Sequence, residues 1–340
     1  MIGNQAKYNK LSHKMKFLIW TLALTVLSGG FFTDRLAEAS IPEGSITNLY
    51  DAFGRDSVLH KDFGFSCILK HAGKIILFDA GSNADIFKYN TGKLKINLKK
   101  IDAVIVSHGH FDHLNGIDYL LQVNPKVKIY MPYDIFWGAP VPFDATGPDS
   151  TANANLPKDM RYFDGGPTRF TIRQSGRFWG ANIEFVKTGQ EIFPGVTVVP
   201  TSSPYIGYFS GYPNKSFVEG QFQGDDHSQY KYTNLPELSL ALRTGRGQVL
   251  VVGCSHSGVE HIVEAAKKTT GDRVDLVYGG FHLIPFEKSN IESVAKYLKN
   301  DLGVRRVAPA HCTGHLAFGI LRALYGDQYL YAGLGETIRY

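Results

Sequence analysis

Residues 107–116 read Ser-His-Gly-His-Phe-Asp-His-Leu-Asn-Gly, a dense run of side chains that can bind a metal ion. The run directly follows the apolar stretch 103–106, which predicts a buried strand. Side chains two positions apart in an extended segment point the same way, and a turn after them can return the next pair to the same point. Imidazole and carboxylate ligands suit zinc or a similar first-row metal, and a mixed set leaves room for two ions. The candidate ligands are His108, His110, Asp112 and His113.

Three further clusters each come just after a predicted strand. Their metal-capable residues are Cys254 and His256, then His282, then His311 with its neighbour Cys312. Small residues around a ligand let the backbone turn sharply and approach an ion closely. If the strand ends face one rim, these side chains gather over a common cleft. Cys254 is either a thiolate ligand or a buried inert thiol, and His282 is either a ligand or a substrate contact.

The first half of the chain is richer in strands: the apolar runs at 45–50, 74–78 and 103–106 predict strands, and the helical spacing of apolar residues at 114–123 predicts a helix. The second half alternates predicted strands and helices, among them a helix over 259–268. This mixture predicts an α/β (α+β) protein in which sheets pack together and helices cover them. Residues 132–236 form a looser, loop-rich stretch, expected to contribute to a substrate rim. The tyrosines and phenylalanines between 205 and 232 are its candidate pocket residues. No repeat or linker divides the rest, so we expect a single domain over residues 40–340.

The first 39 residues have the pattern of a secretory signal peptide. Four lysines precede the apolar run Phe17–Leu27, and Ala37-Glu38-Ala39 ends the segment with a small-x-small cleavage pattern. An uncleaved N-terminal anchor is the alternative. We expect an exported protein, periplasmic or secreted, with no stable membrane association once the segment is cleaved.

Composition narrows the class of protein further. The chain is 44% hydrophobic and 20% charged, as is usual for a soluble enzyme with a small-molecule substrate. Much of its net charge of +5 lies in the first 39 residues, so no nucleic-acid partner is expected. Three cysteines do not make a disulfide framework, and the apolar neighbours of Cys67 predict a buried thiol. Four other histidines are assigned to the surface or to helices: His60, His71, His261 and His315.

The motif His-x-His-x-Asp-His at residues 108–113 resembles the signature of the metallo-β-lactamase superfamily. The resemblance implies a four-layer αββα sandwich with one or two metal ions at its edge, usually zinc and sometimes iron or manganese. It implies that Asp79, in Leu-Phe-Asp-Ala-Gly, is the aspartate that supports the metal loop. Cys254 matches the position where most members place a bridging aspartate, and His311 matches the final histidine.

A narrower resemblance covers roughly residues 58–120 and 236–316. Gly-Cys-Ser-His-Ser-Gly at 253–258 and Gly-Gly-Phe-His-Leu at 279–283 are similar to one branch of the superfamily. That branch is named for a dihydropterin–ribofuranosylaminobenzene 5'-phosphate synthase.

One position departs from the superfamily pattern. Its third motif supplies a histidine just before the strand that precedes the fourth motif, and here that place reads Leu-Pro-Glu-Leu at 235–238. Either His256 or His227, from a loop, completes the first metal position.

We therefore predict a metal-dependent hydrolase in which a metal-bound hydroxide attacks an ester, lactone, amide or phosphoester of a small molecule. Asp112 orients the hydroxide and accepts its proton, and His282 stabilises the oxyanion or receives a substrate anion. The predicted cofactor is zinc, as two ions. The first ion has His108, His110 and a third histidine as ligands; the second has Asp112, His113 and His311, with Cys254 as a candidate fourth. Two alternatives stay open: a non-hydrolytic transferase or synthase acting on a pterin-like or phosphorylated substrate, and an exported metal-binding protein without turnover.

Overall fold

Two large β-sheets carry most of the strands of the structure, a computed structural model. It describes residues 44–133, 135, 141–144, 169–172, 178, 180–203, 235–284 and 286–340. In chain order the strands are β1 (Ser45–Tyr50), β2 (Ser66–His71), β3 (Lys74–Phe78), β4 (Ala103–Ile105), β5 (Lys128–Pro132), β6 (Val141–Asp144), β7 (Arg169–Ile172), β8 (Asn182–Val186), β9 (Gln190–Phe193), β10 (Val196–Ser203), β11 (Leu235–Thr244), β12 (Gly247–Val252), β13 (Val274–Gly280), β14 (Arg306–Ala310) and β15 (Thr337–Arg339).

The first sheet has the strand order β15-β1-β2-β3-β4-β5-β8, and the second has the order β14-β13-β12-β11-β10-β9. Strands β3, β4, β5 and β8 run parallel in the first sheet, and β12, β13 and β14 run parallel in the second. The short strands β6 and β7 pair only with each other. Parallel neighbours place their carboxyl ends at one edge of a sheet, which is where the segments with histidine and cysteine begin.

Helices follow the parallel strands. They are α1 (Ala84–Lys93), α2 (Phe111–Leu114), α3 (Ile117–Val123), α4 (Val259–Thr270), α5 (Lys288–Lys296) and α6 (His315–Tyr325). Helix α1 begins at a side-chain cap, because Asn83 accepts hydrogen bonds from the backbone N–H groups of Asp85 and Ile86. Among the described residues, no helix combines the length and apolar character that a membrane span needs.

The two sheets face each other across a shared apolar core. On the side of the first sheet, Phe65 and Phe78 belong to one buried cluster. Leu240 and Tyr278 of the second sheet belong to the same cluster. Burying a side chain the size of phenylalanine contributes about 1.5–3 kcal/mol. A second cluster places α4, α5 and α6 on the outer face of the second sheet, and a third places α1 and α3 on the outer face of the first. The result is the predicted helix-sheet-sheet-helix sandwich.

Two sequence predictions need correction. The expected helix 114–123 is divided at Asn115 and Gly116 into the end of α2 and α3, and Gly116 packs so closely that an added Cβ would lie 2.0 Å from the carbonyl oxygen of Ala80. His71 was assigned to the surface or to a helix, and this is wrong. It lies at the end of β2 with 2% of its surface exposed, and its ring stacks on Tyr340 at a centroid distance of 6.0 Å.

Candidate metal centre

Three groups of side chains converge where the strands of the two sheets end, each group with its ligand atoms within 4.8 Å of one another. The first is His108, His110 and His256; the second is Asp112, His113, Cys254 and His311; the third is Cys254, His282 and Cys312. The structure thus brings together every histidine and cysteine expected at this edge. His227 lies outside the described residues.

In the first group, Nε2 of His108 lies 3.1 Å from Nδ1 of His110. The ring of His256 lies 4.8 Å from that of His108 and 4.7 Å from that of His110, measured between centroids. Two imidazole nitrogens bound to one zinc ion at a tetrahedral angle are about 3.3 Å apart. The spacing therefore suits a single ion between the three rings.

The second group has similar spacing. Nε2 of His113 lies 3.2 Å from Sγ of Cys254 and 3.6 Å from Oδ2 of Asp112. The same Asp112 oxygen lies 3.3 Å from Nε2 of His311. Both Asp112 and His113 lie on the single turn of helix α2, at the place where the sequence predicted a turn. An imidazole pair, a carboxylate and a thiol can surround one ion.

A buried network orients two of these histidines. Ser107 donates from its backbone N–H and its hydroxyl to the two carboxylate oxygens of Asp79, at 2.7 Å each. Nδ1 of His113 lies 2.6 Å from the same carboxylate, and Nδ1 of His108 lies 2.8 Å from the Ser107 hydroxyl. Because an ionised carboxylate only accepts, His113 carries its proton on Nδ1 and turns a free Nε2 lone pair toward the second group. Asp79 thus holds Ser107 and His113 in place.

Glu237 occupies the place where the superfamily pattern has its third histidine. Its buried carboxylate accepts hydrogen bonds from the backbone N–H of His256 at 2.8 Å, and from the backbone N–H and hydroxyl of Ser257 at 2.6 and 2.7 Å. The next residue, Leu238, donates its N–H to the carbonyl oxygen of Ser107 at 2.7 Å and so ties the second sheet to the His108 loop. The acid therefore fixes the loop that brings His256 to the first group.

The His311 loop is held by two further polar residues. Its backbone N–H donates to the buried carboxylate of Asp51 at 3.1 Å. The Thr313 hydroxyl donates to the carbonyl oxygen of Ala310 and accepts from the N–H of Phe281, next to His282. These bonds join the loops after β13 and β14.

Backbone strain is concentrated in this region. Among the described residues six non-glycine residues have positive φ, and four of these lie in the site: Asp79, Ser255, His282 and His311. Such a conformation costs about 1–3 kcal/mol per residue and persists where surrounding contacts determine it. The concentration of strain here is typical of a functional site.

The charge states of the side chains suit metal binding. Burial lowers the pKa of His108 and His256 well below the ordinary histidine value and lowers that of His110 to about 4, so these rings are neutral. Burial alone would raise the pKa of Asp112, but His113 and His311 hold it below its ordinary value. Neutral imidazoles and ionised carboxylates are the forms that bind metal ions.

The second group differs in one respect. Burial would lower the pKa of His311, but Cys312 and Asp112 beside it raise that pKa to about 9. A metal ion binding at this position must therefore displace a proton from His311.

A separate observation also indicates that these residues suit a divalent metal ion. Both ring nitrogens of His256 are buried without a hydrogen-bond partner among the described residues, although such groups are almost always paired in proteins. Nδ1 of His311 likewise has no hydrogen-bond partner in this part of the chain, and its Nε2 lies 3.3 Å from Oδ2 of Asp112. One ion in each group would contact these nitrogens.

Sequence reasoning missed three residues of the site, Asp51, Ser107 and Glu237, and named Cys312 only as a metal-capable neighbour of His311. Asp51 follows an apolar strand just as Asp79 does, so its position carried a usable signal. Ser107 opens the histidine run, and Cys312 adjoins His311. For Glu237 the signal was the missing histidine, which marked its position without indicating what replaces it.

Comparison with known proteins supports the resemblance and shows the fold. The profile of the metallo-beta-lactamase superfamily matches residues 61–211. A crystal structure of a metal-dependent hydrolase of the beta-lactamase superfamily superposes with a TM-score of 0.61 at 24% identity, over 87% of this chain and 98% of that one. Together with the strand order and ligand groups, these matches confirm the resemblance to the metallo-β-lactamase superfamily, and the chain has the metallo-β-lactamase fold.

Two named relatives are similar in sequence over different lengths of the chain. The 7,8-dihydropterin-6-methyl-4-(beta-D-ribofuranosyl)-aminobenzene-5'-phosphate synthase of Methanocaldococcus jannaschii is 28% identical over 279 residues, which are 78% of this chain and 85% of that protein. The hydroxyacylglutathione hydrolase of Legionella pneumophila is 28% identical over 78 residues, or 23% of this chain and 29% of that protein. The first match confirms the narrower resemblance to the branch named for the synthase.

Proposed function

We propose that this protein is a metal-dependent hydrolase that binds two divalent ions, zinc in the first instance, and hydrolyses an ester, lactone, amide or phosphoester of a small molecule. The observation that carries the proposal is the pair of adjacent ligand groups, one of three histidines and one of Asp112, His113, Cys254 and His311. Two adjacent metal positions are what hydrolysis by two metal ions requires.

The bound ions would supply an activated water and polarise the oxygen under attack. The ionised Asp112 belongs to the second group, where it can orient the attacking water and accept a proton. His282 lies beside His256, with ring centroids 4.3 Å apart, within reach of a substrate oxygen or anion.

Exposed apolar side chains adjoin these polar groups. Phe63 lies 4.9 Å from the His311 ring between centroids and is 48% exposed, and Phe111, between His110 and Asp112, is 63% exposed. Large apolar groups left in water beside polar ligands suit a substrate that has an apolar part. A small organic ester or lactone has this combination.

Turnover in water labelled with oxygen-18 tests the proposal. The full chain, loaded with zinc, is incubated with a panel of esters, lactones and phosphoesters, and products are examined by mass spectrometry. Hydrolysis places one solvent oxygen in the product. His110→Ala is expected to abolish this turnover, whereas His315→Ala, which removes an exposed histidine at the start of α6, is the matched control. Equal activity in both variants would contradict the site assignment.

A second candidate function is favoured by the relative from M. jannaschii, whose name is that of a synthase. In this alternative the same metal positions would bind a phosphorylated or pterin-like molecule and promote a transfer or condensation. Product formation without solvent oxygen, lost in His110→Ala, would support it over hydrolysis.

We also propose that the protein is exported, on the basis of the basic, then apolar, then small-x-small pattern of its first 39 residues. Mass spectrometry of the mature chain is expected to find an N-terminus at Ser40. A mature chain that begins at Met1 or Met15 would contradict cleavage.

A further inference from the structure

Cys312 and His282 lie beside the two proposed metal positions, but neither is needed as a ligand there. With Cys254 they form the third group, in which two sulfur atoms and one imidazole nitrogen lie within 4.8 Å of one another. Ligands of one tetrahedral zinc ion are about 3.5–3.8 Å apart when sulfur is involved. Small side-chain rotations would therefore close this group around an ion.

The donor set has a definite chemical preference. Two thiolates and one imidazole, with a fourth position open, are a known zinc arrangement. Thiolates also select zinc and other thiophilic ions over manganese or magnesium, which prefer oxygen. The first and second groups, which have seven ligand side chains with a single thiol among them, lack this preference.

The backbone is shaped to bring these side chains together. At Gly280 an added Cβ would lie 2.5 Å from the carbonyl oxygen of Gly253 and 2.9 Å from Sγ of Cys312. Only glycine lets the end of β13 pass so close to the end of β12 and to this thiol. Sγ of Cys312 in turn lies 3.6 Å from the carbonyl oxygen of Cys254. The group is thus built from three adjacent strand ends.

We propose that Cys254, His282 and Cys312 bind a third, thiophilic metal ion, with the Cys254 thiolate shared between this position and the second group. The ion binds both cysteines as thiolates, any proton that a thiol still holds passes to solvent, and no oxidation takes place. The inference rests on the metal binding proposed above, and does not depend on whether the reaction is hydrolysis.

Cobalt substitution tests this directly. The metal-free full chain is titrated with Co²⁺ under anaerobic conditions, and bound cobalt is measured by elemental mass spectrometry together with the thiolate-to-cobalt absorbance in the near ultraviolet. Cys312→Ala is compared with Cys67→Ala, because Cys67 is an equally buried free thiol that belongs to none of the three groups. His282→Ala is the second test variant, since its side chain is only partly buried.

In the wild type and Cys67→Ala, we expect about three cobalt ions per chain. Cys312→Ala and His282→Ala are each expected to lose about one ion, and Cys312→Ala to lose at least about half of the thiolate absorbance. Full cobalt content and absorbance in both variants would overturn the inference. If His108→Ala still removes an ion in that case, the proposed hydrolase centre stands without the third position. Absence of cobalt binding in the wild type would overturn both.

Discussion

Replacement of Glu237 by glutamine tests the role of the residue that occupies the place of the missing histidine. The carboxylate accepts three hydrogen bonds from His256 and Ser257 and is 2% exposed. The amide keeps one carbonyl oxygen and turns an NH₂ group toward one of the donors. At least one hydrogen bond to a charged acceptor is lost, which costs about 1.5–3 kcal/mol.

The lost hydrogen bond is expected to loosen the loop of His256 and so to weaken zinc binding at the first position. Residues that hold a metal ligand in place typically change metal affinity by about 10–100-fold when they are altered, which is a similar free energy. Zinc affinity of Glu237→Gln, measured by competition with a chromophoric chelator, should therefore fall by about 10–100-fold at one position. Urea denaturation of the metal-free protein measures how much of the loss is general instability.

The matched control is Glu260→Gln. Glu260 on α4 is also buried, at 4% exposed, and belongs to none of the three ligand groups. Its substitution should leave zinc affinity unchanged. If Glu237→Gln binds zinc within about twofold of the wild type, the argument that Glu237 positions His256 is refuted, and His227 becomes the candidate ligand.

Three other perturbations follow from the same contacts. Asp79→Asn should weaken zinc binding at the second position by about 10–100-fold, because His113 loses the acceptor that sets its proton; an unchanged affinity in calorimetric titration would contradict this orientation. Removal of metal with EDTA should lower the thermal midpoint, and zinc at about 100 times its Kd should restore about 2.7 kcal/mol per site; identical melting curves would show that no ion is bound. Asp275→Asn should lower the free energy of unfolding at neutral pH by about 2–3 kcal/mol, since Asp275 pairs with Arg305 and Arg306. Burial would raise the pKa of Asp275, but these arginines lower it below its ordinary value of 3.8. The stabilisation is therefore present above pH 3.8 and lost as pH falls through the lower folded-state pKa, so urea curves that keep the full difference well below that pH would refute the pairing.

Much of the architecture was predictable because local sequence and tertiary structure agree. The apolar runs at 45–50, 74–78 and 103–105 are strands, as predicted, and the predicted helix starting at Val259 does start there. The hydrophobic period and the length of each run already match those of a strand or a helix, so local preference and tertiary packing favour the same structure. The predicted helix 114–123 is divided at Asn115 and Gly116, and the close packing of Gly116 against the carbonyl oxygen of Ala80 is a tertiary contact that no local pattern reports.

Residues that act through long-range hydrogen bonds were the hardest to find. The bond between Asp51 and His311 joins positions 260 residues apart, and a single sequence does not reveal such a pairing. The prediction for His71 was wrong for a related reason. The polarity of histidine favours the surface, but His71 lies on the buried face of β2. Metal-capable residues were easier, since their spacing after strands is a local property.

The candidate centre also sets an order of events during synthesis. His113 and Cys254, whose ligand atoms are 3.2 Å apart, are separated by 141 positions in the chain, and His311 comes later still. A growing chain therefore exposes the histidines of residues 108–113 long before the rest of the ligand set exists. A segment with three histidines can bind a stray ion loosely in that interval, but the second ligand group is complete only after β14 and the His311 loop have joined the second sheet. Slow release of metal from the finished protein would then report the parting of the two sheets, and its rate should follow the rate of global unfolding.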